Sequence, residues 1–143
     1  MAKDIEKKIV DISSFFTTTR QKEGVWFEPK IDGAETGIEF KILGKEADDT
    51  IVAFEEYSKE HGKLADEKDL KKKSNLEREA SIKLIASCIT DFRGKDGAEI
   101  TTEEGILEYS EENLHKILYE SADLRTALFE AILEPTNFMK KNS

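Results

Sequence analysis

The stretch GIEFKIL, residues 37–43, decides the fold of this chain. Its apolar residues Ile38, Phe40 and Ile42 alternate with charged ones, which is the period of two of a half-buried strand. Residues 25–31, VWFEPKI, alternate in the same way. The segment between the two stretches is rich in turn residues and begins with Asp-Gly, so the sequence predicts a β-hairpin.

The first strand of this hairpin carries the aromatic residue that most needs an explanation. Pro29 cannot donate a ladder hydrogen bond, so the strand lies at a sheet edge or has a bulge at this position. Trp26 lies on the otherwise polar face. Either a helix or the N-terminal arm covers it, or it anchors an interface. The residues that we select as a candidate partner or self-interaction surface are aromatic: Trp26, Phe27, Phe40, Phe92 and Phe138.

Beyond Asp49 the apolar spacing becomes helical. Gly62 is expected to end or break the first long helix, and the polar segment 63–74 is expected to form an exposed helix turn or a flexible elbow. The next helix, about 75–91, is apolar around most of its circumference, which is typical of a buried central helix. Ser110 is a strong N-cap residue for a later helix, and Ser121 or Asp123 caps the last one. The expected core consists of Ile82, Leu84, Ile85, Cys88, Ile89, Leu114, Leu118, Leu124 and Leu128.

These patterns predict an α+β fold, with an N-terminal β-hairpin packed on a mainly α-helical C-terminal body. We expect the 143 residues to form one domain. It would comprise a flexible or helical arm (1–20), the hairpin (21–47), the helical body (48–134) and a flexible tail (135–143). Phe15 and Phe16 are expected to anchor the arm to the core. Deletion of residues 136–143 is expected to leave the fold intact.

Charge is concentrated in the last third of the chain. The net charge is -9, and residues 99–134 hold ten acidic residues against Lys116 and Arg125. This field disfavours direct nucleic-acid binding. It fits a soluble protein, a protein with a basic partner or a DNA mimic. The single cysteine cannot form an internal disulfide, and no apolar run is long enough for a membrane span, so a cytoplasmic location is expected.

The sequence offers little that could support catalysis or cofactor binding. His61 and His115 lie on separate helices, and Cys88 lies among apolar residues, so these three lack metal-ligand spacing. A calcium loop starting at Asp91 is ruled out, because Arg93 and Lys95 occupy positions that need oxygen ligands. We therefore expect no enzyme, no cofactor and no metal site.

Several short runs, taken in order, resemble one protein family. The chain contains DIS at 11–13, EGVWFEP at 23–29, TGIEFKILG at 36–44, ITDFRG at 89–94 and YSEENL at 109–114, and then a Leu124-centred helix and Asn137-Phe138. In this order the runs resemble those of the tail assembly chaperones of long-tailed bacteriophages.

The resemblance implies a non-enzymatic role in the cytoplasm of a bacterial host. Such chaperones bind the tape-measure protein, a long, helical and partly apolar chain, and keep it soluble while tail-tube subunits assemble around it. It further implies a homo-oligomer, with the tail-tube protein as a second partner. Two alternatives stay open: a structural tail or head–tail connector protein, which would be richer in strand, and an acidic DNA-mimic inhibitor.

Overall fold

A short sheet is followed by a helical body in the computed structural model, which describes residues 7–140. The helices are α1 (Thr18–Glu23), α2 (Asp48–Leu64), α3 (Leu70–Ser87), α4 (Glu111–Glu120) and α5 (Ala122–Leu133). The strands are β1 (Val25–Phe27), β2 (Lys30–Ile31), β3 (Ala34–Glu35), β4 (Ile38–Ile42), β5 (Ile89–Gly94), β6 (Thr101–Thr102) and β7 (Gly105–Ile106). Single 3-10 turns form at Ser13–Phe15, Lys95–Gly97 and Pro135–Phe138. The predicted α+β class is confirmed.

The main sheet has the antiparallel order β1-β4-β5. The register places Phe27 opposite Phe40 and Phe40 opposite Phe92, which makes one aromatic row on the inner face. The first predicted strand divides at Pro29, and β2 pairs with β3 in a separate small hairpin. The Pro29 carbonyl instead accepts a hydrogen bond from the Thr36 hydroxyl at 2.9 Å.

The third strand of the sheet was not expected from the sequence. The predicted helix through Asp91 is wrong, because α3 ends at Ser87 and residues 89–94 form β5. The β-branched pair Ile89-Thr90 favours extended backbone. β4 also needs a partner on its second side, and the Leu43 N–H bonds to the Cys88 carbonyl at 2.8 Å where the pairing begins.

Helices α2 and α3 run antiparallel and are both longer than predicted. α2 continues through Gly62 to Leu64, so the expected break there is wrong. Of the two alternatives for residues 63–74, the exposed helix turn is confirmed in the second half, because α3 begins at Leu70 and residues 70–74 are mostly exposed, and a flexible elbow there is wrong. The carboxylate of Asp69 accepts the backbone N–H groups of residues 71 and 72 and caps that helix.

The core lies between the inner face of the sheet and helices α3, α4 and α5. The predicted core residues of α3, β5 and α4, together with Leu128, are buried, and Leu124 packs against them in a half-buried position. The Ser110 hydroxyl caps α4 and the Ser121 hydroxyl caps α5, each accepting a backbone N–H three residues later. These contacts set α4 and α5 against the sheet.

The two ends of the described chain differ from the sequence predictions. The side chains of Phe15 and Phe16 are 67% and 64% exposed, so they do not anchor the arm. The contacts to the body begin at α1, where the Arg20 guanidinium donates to the Phe138 carbonyl at 3.2 Å. The expected flexible tail is wrong for residues 135–138. Pro135 starts a 3-10 turn that packs on the body, and this turn buries Phe138. The predictions for residues 1–6 and 141–143 lie outside the described residues.

Candidate partner-binding surface

Three of the five aromatic residues selected as a partner surface are core residues. Phe40, Phe92 and Phe138 are each at most 4% exposed, so their assignment to an interaction surface is wrong. The rings of Phe40 and Phe92 pack against each other with centroids 6.0 Å apart. An apolar side chain that already has this packing gains no further burial from a partner.

Trp26 and Phe27 are half-buried, on opposite faces of β1. Phe27 packs against the core. Trp26 lies on the outer face, where the Arg93 guanidinium stacks 3.8 Å from the ring centroid. The same guanidinium donates to Glu39 at 2.9 Å. This cation–π contact explains an aromatic side chain on a polar face, and the role of Trp26 as an interface anchor stays a prediction.

An apolar concavity lies elsewhere, between α2, α3 and α4. This groove, the α2–α3–α4 groove, has a volume of about 670 Å³. Its apolar lining comes from Leu64, Leu76, Ala80, Ala86, Ile89, Tyr109 and Leu114. Its charged rim consists of Glu60, Lys63, Glu79, Lys83, Glu111 and His115. Open apolar surface rimmed by charge is typical of a site that binds a partner.

The packing of the three helices creates this groove. Glu60 on α2 meets Lys83 on α3 at 3.6 Å, and Glu79 on α3 meets His115 on α4 at 3.6 Å. Both contacts are largely exposed and contribute little stability. Between them Leu76 is left 40% exposed. The rim therefore carries polar and charged side chains of both signs around an apolar floor.

Tyr109 closes the end of the groove near the sheet. Its ring meets Phe92 edge-on with centroids 5.4 Å apart. Burial raises the pKa of Tyr109, and the carboxylates of Glu111 and Asp91 raise it further. The Glu111 and Asp91 carboxylates therefore lie close enough to Tyr109 to disfavour its ionised form, and they concentrate acidic charge near this end of the groove.

The sequence alone did not reveal the groove. The helical spacing of Leu76 from Ala80 and Leu84 predicts that it belongs to the buried stripe of the central helix, whereas it is 40% exposed. The missed signal is its surroundings, since Glu77 and Glu79 on the same turns are charged. Periodicity gives the face of a helix, whereas the distance to the neighbouring helices depends on tertiary packing.

Cys88 lies next to the groove but is closed off from it. Its side chain is 1% exposed, and the thiol donates to the Leu84 carbonyl at 3.4 Å. Burial raises the pKa of the Cys88 thiol, which disfavours the reactive thiolate. Within residues 7–140, no three His, Cys, Asp or Glu side chains are grouped so that they could hold a metal ion. In the same range, no helix is both long and apolar enough to cross a bilayer.

The chain matches no protein-family model, and comparisons with curated proteins and with solved structures found no significant match.

Proposed function

We propose that this protein is a non-enzymatic tail assembly chaperone of a long-tailed bacteriophage. In this role it binds the tape-measure protein in the host cytoplasm and keeps it soluble during tail assembly. The observation that carries the proposal is the α2–α3–α4 groove, an open apolar surface on a chain with a net charge of -9. The family resemblance of the sequence supports the same role.

The chemistry of the groove suits a helical and partly apolar ligand. An amphipathic helix can lay its apolar face on Leu64, Leu76 and Tyr109, while its polar flanks meet the charged rim. Each apolar side chain that is fully buried contributes about 1.5–3 kcal/mol. The acidic surface keeps the chaperone itself soluble while it holds an aggregation-prone chain.

The balance of secondary structure supports the chaperone over a structural tail protein. Helix far outweighs strand in the described residues, and the sheets are small. A tail-tube or connector subunit is expected to be rich in strand. The strand β1 is only three residues long, which gives the main sheet a short edge for pairing with other subunits.

The first test of the proposed function is the gene neighbourhood, in which we expect a tape-measure gene immediately downstream. The second is co-expression of that long helical protein with and without this chain. We expect the tape-measure protein to be soluble only when this chain is present. If it is equally soluble alone, the chaperone assignment fails.

Two matched variants then test the groove as the binding surface. Leu76→Glu places a charge in the groove, and Val52→Glu makes the same change at an exposed position on α2 outside it. We expect Leu76→Glu to weaken co-purification roughly tenfold or more, as for loss of an interface anchor. Val52→Glu should retain wild-type binding. Equal binding by the two variants would exclude the groove as the surface that binds the tape-measure protein.

A further inference from the structure

Within the N-terminal arm, residues 7–16 expose more large apolar side chains than any other short segment of the described chain. Ile9 is 93% exposed, Val10 77%, Ile12 53%, Phe15 67% and Phe16 64%. Contiguous exposed apolar residues mark an interaction site in a soluble protein. The body of its own chain therefore leaves these apolar side chains uncovered.

The arm is locally ordered before it meets any partner. The Phe15 N–H bonds to the Ile12 carbonyl at 2.9 Å, and the Ser13 N–H bonds to the Asp11 carboxylate at 2.9 Å. This hydrogen bond lowers the pKa of Asp11. Arg20 donates to the Phe16 carbonyl at 2.9 Å and joins the arm to α1. A segment with this local structure loses less conformational entropy when it binds.

We propose that the arm of one copy docks in the α2–α3–α4 groove of a second copy, so that two chains exchange arms. Each chain then contributes one arm and one groove, and two identical contacts close a symmetric dimer. Residues 7–12 precede the 3-10 turn, and six extended residues span at most about 20–22 Å, roughly twice the diameter of one helix.

Chemistry on both sides favours this occupant. The apolar residues of the arm match the floor of the groove, where the side chains of Leu76 and Leu64 remain accessible. Residues 7–16 carry Lys7 and Lys8 against Asp11, a net charge of +1, whereas the groove rim carries Glu60, Glu79 and Glu111 against Lys63 and Lys83, a net charge of -1. Opposite net charges on the two surfaces favour their association.

This inference does not depend on the proposed function, because it needs only copies of this chain. It would also give the groove a resident ligand that a tape-measure segment must displace. Variants of the arm should then leave the groove free, whereas variants of the groove should lose both contacts. A failure of arm exchange and a failure of tape-measure binding are therefore separate results.

Sedimentation velocity of the full chain at micromolar concentration tests the exchange. We expect a dimer for wild type and for Val52→Glu. We expect monomers for the groove variant Leu76→Glu and for the arm variant Phe15→Ser/Phe16→Ser, with a dissociation constant raised roughly tenfold or more. Thermal unfolding should show that each variant is folded, since the altered side chains are exposed.

A mixing experiment then identifies the contact. The arm variant keeps a functional groove, and the groove variant keeps a functional arm, so an equimolar mixture should form a 1:1 heterodimer through one arm–groove contact. A monomeric wild type would overturn the proposal, including the case in which each arm fills its own groove. A dimer that both variants retain would overturn it as well. So would a dimer that is lost only on Trp26→Ala, since that result assigns self-association to the sheet.

Discussion

Two leucines of α3 illustrate how much a single side chain depends on its position. Leu84 is 4% exposed, whereas Leu70, at the start of the same helix, is 80% exposed. We expect Leu84→Ala to lower the free energy of unfolding by about 2–5 kcal/mol, because it removes a buried side chain and leaves a cavity. Leu70→Ala is the matched control and should change it by about 0.5 kcal/mol or less. Urea unfolding measures both, and similar losses would contradict this placement of α3.

At the scale of residues, periodicity predicted the burial of most core positions, with Leu76 as an exception because it lines the groove and is 40% exposed. Ile82, Leu114 and Leu118 have helical spacing, and they lie in the core as predicted. Phe40 alternates with charged residues and so belongs to the inner face of its strand. It was placed on an interaction surface because aromatic residues are enriched at interfaces, although the same property makes them common in cores. The period was the better guide.

At the scale of elements, the segment Pro135–Phe138 has the clearest consequence for stability. Its 3-10 turn buries Phe138 and brings the Phe138 carbonyl to Arg20. We expect a chain that ends after Glu134 to lose at least about 3–5 kcal/mol of stability, as for the removal of a buried Phe. A chain that ends after Lys140 keeps the turn and is the control. Thermal unfolding followed by circular dichroism distinguishes them, and equal melting temperatures would show that the turn contributes nothing.

The elements that the sequence did not predict are those fixed by distant parts of the chain. β4 was recognisable from its own alternation, but β5 is a strand because it pairs with β4 across 46 intervening residues, with Ile42 opposite Ile89 and Ile38 opposite Gly94. A short apolar run such as residues 85–92 fits a helix or a strand equally well by period alone. The α2–α3–α4 groove likewise could not be predicted from the local sequence, because three helices from different parts of the chain define it.

At the scale of the whole molecule, Lys95 joins three separate segments. Its ammonium donates to Glu28 at 3.0 Å and to Glu35 at 3.1 Å, and so ties the end of β5 to β3 and to the link between β1 and β2. The Lys95 hydrogen bond lowers the pKa of Glu28 below its ordinary value of 4.5. The two carboxylates, Glu28 first, raise the pKa of Lys95 above its ordinary value of 10.5.

These shifts predict how stability depends on pH. The Glu28 pKa is depressed on folding, so its contribution is present above the unfolded value and is lost as pH falls through the folded value. The Lys95 contribution is lost as pH rises through its raised folded value. We expect the wild type to lose more stability between neutral pH and about pH 3 than Lys95→Met does. Lys22→Met removes the same charge from an exposed position on α1 and should behave like wild type. If Lys95→Met shows the wild-type pH profile, the contacts of Lys95 with Glu28 and Glu35 do not contribute to the pH dependence of stability.

The contact between Arg20 and Phe138 also bears on how the protein is made. The two residues are 118 positions apart, so a ribosome synthesises α1 well before its docking partner. β4 likewise waits for β5 before the sheet is complete. The body therefore closes only after the segment that contains Phe138 has left the ribosome, and until then α1 has no docking partner in the nascent chain.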